Sequence, residues 1–597
     1  MIALDNLLAA TKVDVLTTGA RTSYEGFAHD SRAVTPGDCF VAVRGIHGDG
    51  HDYVLDAIER GAGAVILERT RLDGLEAASP GILEHIRRAG VSTLAVPDTR
   101  EALRHYAAYI LRTWHPVVIA VTGSTGKTTT KEAIADVLGT MAPTFRSWRN
   151  YNDALGLPLS LGQLEPEHQF AVTELGADHP GEIRELCAMT QPTIGVVTNV
   201  SPSHLEYFGD VGLLAEELAE LPTTLAKDGL AVLNRDDRAV FAMGKRTSAR
   251  TLYFGPASEG RGGEHNATAG YRVLPISPES LSLTLQPVSG SKDSGNPIGF
   301  PNLYGDHWVF AVLAALTVGE ALGVPREQAF QALRTLTPLP GRMRRLEGVD
   351  GTIMLDDSHN ATPASAEAGL STLRTIGTAL HAPRIAVLGD ILRLGGSEQE
   401  AHQALGLLAA NSADYLVTRG VRAEQIAREA LNSGLTSARI AITHTADDAA
   451  RAVRQCQAES AASYPDRPAV IYIKGSEEMR MEQVTARLLA HPEHAEQLLD
   501  RQTQAWRRVV VMRPDRPTWL EIDLSAIGDN TQRIKSLVGP DVQVLVSLKA
   551  DAYGHGALPV ARTVLHNGAT WLGVATVSEG QPLRAAGIVA PILVFGY

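Results

Sequence analysis

Cysteine is scarce in this chain of 597 residues. Cys39, Cys187 and Cys456 stand far apart, with no C-x-x-C pair. That argues against a disulfide framework or a structural zinc site and fits a reducing compartment. Long apolar runs are missing too: none approaches the ~20 residues of a membrane helix. The start, MIALDNLLAATKVDV, has no basic region leading into an apolar core, so it does not read as a signal peptide. Basic charge is in deficit. Lys and Arg number 54 against 67 Asp and Glu, a net −13, which argues against non-specific nucleic-acid binding. An anionic substrate stays open, because a local basic cluster can hold one. These absences predict a cytoplasmic protein without a nucleic-acid partner or a membrane span.

What is present is ordinary globular composition, 44% hydrophobic and 20% charged. The length exceeds one core, and roughly 100–200 residues per domain gives three to five domains. Residues 1–112 alternate short apolar runs with turn clusters and close on a helical pattern, REALRHYAAYILRTW. From residue 113, VVIAVTGSTGKTTTKEAIADVLG reads as strand, loop and helix; FAVTELGA, TIGVVTNV and GLAVLN continue the alternation. That is the pattern of a parallel sheet with crossover helices. Residues 256–300 are loop-rich around one short strand, LSLTLQP, in a hairpin-like excursion before a helix at HWVFAVLAALTVGEALG. A third α/β pattern runs over 338–495 (TIMLDD, RIAVLGD, DYLVT, AVIYIKG), a linker is expected at 496–516, and a fourth segment fills 517–597.

The sharpest motif is AVTGSTGKTTT. Gly123, Ser124, Thr125, Gly126, Lys127, Thr128 and Thr129 lie between a strand and a helix. Glycines let backbone N–H groups close around phosphate oxygens, and the helix N-terminus adds a favourable dipole. Lys127 would neutralise the β/γ-phosphates of a nucleotide, and the Thr128 hydroxyl would hold Mg²⁺. The loop is the short form G-x-x-G-K-T; the first glycine of the long form would fall at Val121.

With HDSRAVTPGDCFVAVRG, NYNDALGLPLSL, TELGADHPGEI, TNVSPSHLEYFG, GRMRRLEG, DDSHNATPAS and IKGSEEMRMEQV, this loop resembles the Mur ligase family over about the first 495 residues. The resemblance implies an α/β chain of three domains: a uridine-nucleotide-binding domain (1–112), a P-loop ATPase domain with a parallel sheet (113–337) and a Rossmann-like domain (338–495). It implies an ATP- and Mg²⁺-dependent amide ligase of peptidoglycan precursor synthesis, working through an acyl phosphate. The wording is closest to the member that joins D-alanyl-D-alanine to UDP-N-acetylmuramoyl-tripeptide. By resemblance Glu174 and His204 serve Mg²⁺, although a lone strand-end glutamate or lone histidine is more often structural. Arg342 and Asp357 match nucleotide contacts, and the helix after Gly305, Asp306 and His307 should sit near the adenine. Ser31, Arg32, Asn150, Tyr151 and Asn152 match the sugar-nucleotide side, and Lys474, Gly475 and Ser476 the acyl-accepting side. The ligase part is expected to be monomeric.

Several positions depart from the family. Its carbamylated lysine, which adds a carboxylate to a second Mg²⁺, falls at Leu218; Glu216 or Glu217 is expected to supply that carboxylate instead. Trp308 replaces an asparagine that commonly meets adenine, His359 a tyrosine, Arg393 an acid and Glu477 an arginine. These changes bear on nucleotide affinity and acceptor selectivity.

TWLEIDLSAIGDN and LVSLKADAYGHGA resemble the N-terminal end of alanine racemase, a pyridoxal-phosphate β/α barrel. The resemblance implies that Lys549 carries the cofactor and Tyr553 lies near its phosphate. A barrel takes roughly 250 residues, so an incomplete barrel is expected here. Racemisation is not expected from this segment alone, pyridoxal phosphate only in a complete racemase, and that complete part would dimerise. Other readings stay open. They are another ligase of the superfamily or a folylpolyglutamate synthase, a nucleotide-binding module with weak turnover, and racemase activity in a longer parent chain.

Overall fold

The computed structural model describes residues 1–45, 48–78, 81–148, 151–257, 270–288, 296–465, 467–502 and 520–596. Asn150 and residues 503–516 of the expected linker lie outside them.

The first sheet orders its strands Asp14–Thr17, Ser92–Val96, Ala64–Glu68, Cys39–Val41 and Phe27–Ala28, all parallel except the first. The second orders Arg250–Phe254, Leu230–Asn234, Ile194–Val197, Val117–Thr122, Phe170–Glu174 and Thr144–Arg146, all parallel. Unbroken apolar runs such as VIAV and GVV follow from burial on both sheet faces. Val117–Thr122 is central, and the chain leaves it toward both sides. Such a reversal opens a crevice at the carboxyl ends of the strands. Helix Lys127–Gly139 follows it and packs with helix Trp308–Ala321. The latter is apolar nearly all round because it is buried nearly all round.

Between residues 270 and 300 the single expected strand is the middle of three antiparallel ones: Tyr271–Val273, Thr284–Pro287 and Ile298–Gly299. The outer two are too short to show any alternation in sequence.

The third sheet orders Arg344–Glu347, Ile353–Asp357, Val470–Lys474, Arg384–Gly389, Tyr415–Arg419 and Ile440–Thr443, with only the first pair antiparallel. Asp357 and Lys474 end adjacent strands in register. The linker expected from 496 begins later than that: Leu499 and Arg501 are buried against this third unit.

The fourth unit has three parallel strands, Leu545–Ser547, Trp571–Val574 and Ile592–Val594. It docks on the far edge of the third sheet. Arg562, on helix Ala557–His566, forms an ion pair with Glu424 at the start of helix Glu424–Asn432, and both side chains are buried. Asn567 Nδ2 donates to Asp448 Oδ1 (2.9 Å), and Arg451 Nη2 donates to Asn567 Oδ1 (2.7 Å). The His566 ring lies 3.3 Å from the Ile442 carbonyl on edge strand Ile440–Thr443. An exposed edge strand is a pairing hazard, and here the docked unit stands over it and contacts the Ile442 carbonyl.

Candidate active site

A cleft of about 490 Å³ opens where the second sheet faces the third. Its floor is the loop after Val117–Thr122. Gly123 (φ 137°) and Gly126 (φ 77°) occupy left-handed conformations. A Cβ on Gly123 would lie 2.0 Å from Thr198 Oγ1, so the loop needs glycine there. Thr198 and Asn199, just after strand Ile194–Val197, brace the loop. Ser124 N donates to the Asn199 carbonyl (2.9 Å), Thr125 N to Asn199 Oδ1 (2.9 Å), and Thr198 Oγ1 to the Thr125 carbonyl (2.7 Å). Lys127 folds back, its Nζ donating to the Gly123 carbonyl (2.8 Å). Burial pulls its pKa down and Arg342 adds to that, while Glu174 and Asp178 oppose it.

Glu174 is buried at the end of its strand. Its Oε1 accepts from Asn152 Nδ2 (2.8 Å), and its backbone N–H donates to Ser147 Oγ (3.1 Å). Its Oε2 is buried without a hydrogen-bond partner. Buried acceptors are rarely left so, and a cation would satisfy this one. His204 has a left-handed backbone (φ 53°), and its Nδ1 lies 3.4 Å from Asp178 Oδ1. Burial lowers its pKa, and Asp178 opposes that. Thr128, Glu174, Asp178 and His204 all line the cleft, and their oxygens are of the hard kind that Mg²⁺ takes, although among the described residues no three His, Cys, Asp or Glu side chains converge as a metal site. Asp178 and Asn199 escaped the reading of the sequence. TELGAD and TNVS were noted as motifs, and both residues follow strands whose carboxyl ends form the crevice.

The third unit supplies the opposite wall. Arg342 Nη2 reaches the Thr128 hydroxyl across the cleft (3.3 Å); burial lowers its pKa against the pull of Glu174 and Asp357. Asp357 Oδ1 accepts from Met343 N (3.1 Å), and Asp357 Oδ2 pairs with Lys474 Nζ, which also donates to the Asn360 carbonyl (2.9 Å). Lys474 and Glu477 line the cleft. The Ser476 hydroxyl instead accepts from Leu392 N (2.9 Å), and Gly475 packs on Gly389. Trp308, buried, and His307, half-buried, stand in the wall, with the indole N–H and one ring nitrogen unpartnered. Arg393 pairs with Glu478 (2.7 Å) on the side of the cleft near His204 and Asp178. Thr129 caps inward onto the Gly126 carbonyl (2.9 Å).

Two groups of expected residues lie apart. Ser31 is buried in the first unit, and Arg32 pairs with Asp30 (2.7 Å). Tyr151 bridges toward them, its ring 6.3 Å from that of His29, while Asn152 lines the cleft. Lys549 and Tyr553 are in the fourth unit, the ammonium 5.9 Å from the ring centre, both exposed. Ala550, Asp551, Ala552 and Tyr553 run consecutively at positive φ (51–57°), a left-handed turn that Glu579 supports by accepting from Ala550 N (3.0 Å).

The expected role for Glu216 or Glu217 does not hold. Glu217 Oε2 accepts from Gly181 N (2.7 Å) and Oε1 from Ile183 N (2.8 Å), capping helix Glu182–Thr190. Glu216 pairs with Arg246 at the surface (2.8 Å), and Leu218 is buried in the apolar core. Helical phase decides this. Side chains one and two steps before 218 on a helix point about 100° and about 200° away from it, so neither can replace a side chain at 218.

Family models match four stretches. They are described as Mur ligase family, catalytic domain (23–110), Mur ligase middle domain (121–319), Mur ligase, glutamate ligase domain (341–476), and alanine racemase, N-terminal domain (522–597). The UDP-N-acetylmuramoyl-tripeptide–D-alanyl-D-alanine ligase of Escherichia coli (strain K12) is 30% identical over 389 residues, 65% of this chain and 79% of that protein. The enzyme of the same name from Bacillus subtilis (strain 168) is 28% identical over 473 residues, 79% of this chain and 94% of its own length. Among solved structures, MurF from Acinetobacter baumannii superposes with a TM-score of 0.65 at 27% identity, over 81% of this chain and 98% of that one. The MurF ligase from Thermotoga maritima, in complex with ADP, gives 0.61 at 25%, over 81% and 99%.

Proposed function

The chain belongs to the Mur ligase family, and from that premise we propose that it is an ATP-dependent ligase joining D-alanyl-D-alanine to UDP-N-acetylmuramoyl-tripeptide. One observation carries the reading. The phosphate loop of the second unit and Arg342, Asp357 and Lys474 of the third face each other across a single cleft, with Arg342 touching Thr128.

A carboxylate resists direct attack by an amine. The peptide carboxylate oxygen therefore takes the γ-phosphoryl group and ADP leaves. The dipeptide amine then attacks the acyl carbon, and phosphate leaves. Phosphoryl transfer is mostly positioning and charge neutralisation. The amides at the start of helix Lys127–Gly139 bind the phosphates, Lys127 moves from the Gly123 carbonyl to their oxygens, and Arg342 adds a second cation from across the cleft. Mg²⁺, when bound, supplies charge for the phosphate oxygens. Thr128, Glu174 and His204 are the residues we assign to it, and Asp178 orients His204. Trp308 and His307 offer a flat wall to the adenine. Asp357 fixes Lys474 on the acceptor side, where Gly475 and Ser476 shape the turn. Ser31, Arg32 and Asn150 to Asn152 are assigned to the sugar nucleotide.

We also assign the unit boundaries to 1–112, 113–337 and 517–597, with the third unit running from 338 through Arg501. In the last, Lys549 with Tyr553 is the position for pyridoxal phosphate in a complete barrel. No helix among the described residues is long and apolar enough to cross a membrane.

The test is phosphate release from ATP by the purified chain. Release should require both UDP-N-acetylmuramoyl-tripeptide and D-alanyl-D-alanine. Release supported equally by a glutamate acceptor, or by neither substrate, overturns the assignment.

A further inference from the structure

After the short helix Ala495–Leu498, which rests Ala495 and Leu498 on the core of the third unit, the chain turns further inward. Arg501 is 3% exposed and holds a left-handed backbone (φ 54°), unusual for a non-glycine residue. Both terminal nitrogens of its guanidinium are engaged behind the wall of the cleft, while Nε is buried without a hydrogen-bond partner. Nη1 donates to the His359 carbonyl (2.9 Å), and Nη2 donates to the Ser358 carbonyl (2.8 Å) and to Glu482 Oε2 (3.0 Å). Glu482 is itself completely buried. The neighbouring Asp500 places Oδ2 2.6 Å from His359 Nδ1. His359 and Asn360 line the cleft. The His359 N–H donates to the Gly341 carbonyl (3.0 Å), one residue before Arg342. Gly341 has φ +71°, and a Cβ there would sit 2.9 Å from His359 N.

One short loop, 357–360, thus carries the Asp357 carboxylate, the His359 ring and the Asn360 carbonyl that accepts from Lys474. It is held from behind by two side chains that lie about 140 residues later, next to the connection to the fourth unit. A planar guanidinium forked onto two successive carbonyls fixes both the position and the tilt of those peptide planes. A carboxylate on the His359 ring fixes its rotamer and tautomer.

We propose that Asp500 and Arg501 are positioning residues for the nucleotide side of the cleft. They set the loop 357–360, and through it Asp357 and the spacing to Arg342. The stretch leading out of the ligase toward the racemase-like unit is then part of the ligase site. This rests on the reading of the cleft as an ATP site.

The test uses the full chain with Arg501→Met, Arg501→Lys and Asp500→Asn. It measures ADP affinity by calorimetry, KM for ATP and for UDP-N-acetylmuramoyl-tripeptide, kcat and the melting temperature. Arg501→Met should weaken ADP and raise the ATP KM by about tenfold, the worth of one charge-assisted hydrogen bond. The KM for the sugar nucleotide should stay within about twofold, since Ser31 and Arg32 lie in the first unit, away from the loop 357–360. Arg501→Lys should recover part of the loss, and Asp500→Asn should show a smaller shift in the same direction. If Arg501→Met does not fold, the other two variants carry the test. Unchanged ADP and ATP values in the variants overturn the proposal. So does a uniform weakening of every substrate that tracks a lower melting temperature, because that marks a merely structural role. A wild-type chain that binds no ADP overturns the ATP-site reading itself.

Discussion

The docking of the fourth unit hinges on Arg562 and Glu424, and breaking one partner should open it. Both side chains are less than a tenth exposed. Burial pulls the Arg562 pKa down while Glu424 holds it up, so the guanidinium depends on that carboxylate. Arg562→Met leaves Glu424 buried with only His444 (3.7 Å) and the more distant Arg428 (3.8 Å) nearby. An uncompensated buried charge costs about 3–5 kcal/mol. The third unit need not unfold to relieve it. Lifting the fourth unit away rehydrates Glu424, so the cost is paid by docking alone. A loss of about 3 kcal/mol shifts the docked-to-undocked ratio by about two decades. Amide hydrogen exchange reads this locally. In Arg562→Met, helix Glu424–Asn432, strand Ile440–Thr443 and helix Ala557–His566 should lose protection together, while strand Val117–Thr122 keeps its own. The double variant Glu424→Met with Arg562→Met removes both charges and should regain much of the protection, because an apolar pair of similar volume is often neutral. Wild-type exchange in the single variant would refute the reasoning, as would equal loss in single and double variants.

Acid should weaken the fold through His444, whose pKa burial, with Arg562 and His566 adding, pushes down to about 4. Above pH ~6.5 the ring is neutral folded or unfolded, and between there and about 4 only the unfolded chain takes the proton. Stability therefore falls as pH drops through that window, by on the order of 3 kcal/mol for this group. His444→Leu should flatten the urea-midpoint slope there, leaving the parallel share of His307, also near 4; an unchanged slope removes His444 from the account. Glu217→Ala should cost about 1–2 kcal/mol, the worth of a helix cap, and lower the melting temperature without moving the Mg²⁺ dependence of phosphate release. Glu174→Gln keeps the Asn152 bond but loses the charge behind the orphaned Oε2, so the Mg²⁺ concentration for half-maximal release should rise about tenfold or more. An unchanged requirement would take Glu174 out of the metal site.

Local features were legible in the sequence. The loop 123–128 could be read because glycine conformations, a strand and a helix start all fall within a dozen residues. Asp357 and Lys474 were named separately, and their pairing needed the register of two strands more than a hundred residues apart. Asp178 and Asn199 matter through a crevice assembled by three strands, which no local pattern reveals. Glu217 was misjudged because its partners are the amides of Gly181 and Ile183, far away along the chain. The stretch around Asp500 and Arg501 looked like linker because its order comes from two hydrogen-bonded charges and one buried leucine, not from periodicity.

Leu218 has a consequence for the chain's surroundings. An amine that acquires a carboxylate does so by reversible uptake of dissolved carbon dioxide, so a metal site built that way gains and loses a ligand with bicarbonate supply. A buried leucine takes this position out of that equilibrium. Leucine has no amine to take up carbon dioxide, so degassing the buffer should not act on the ligase through this residue.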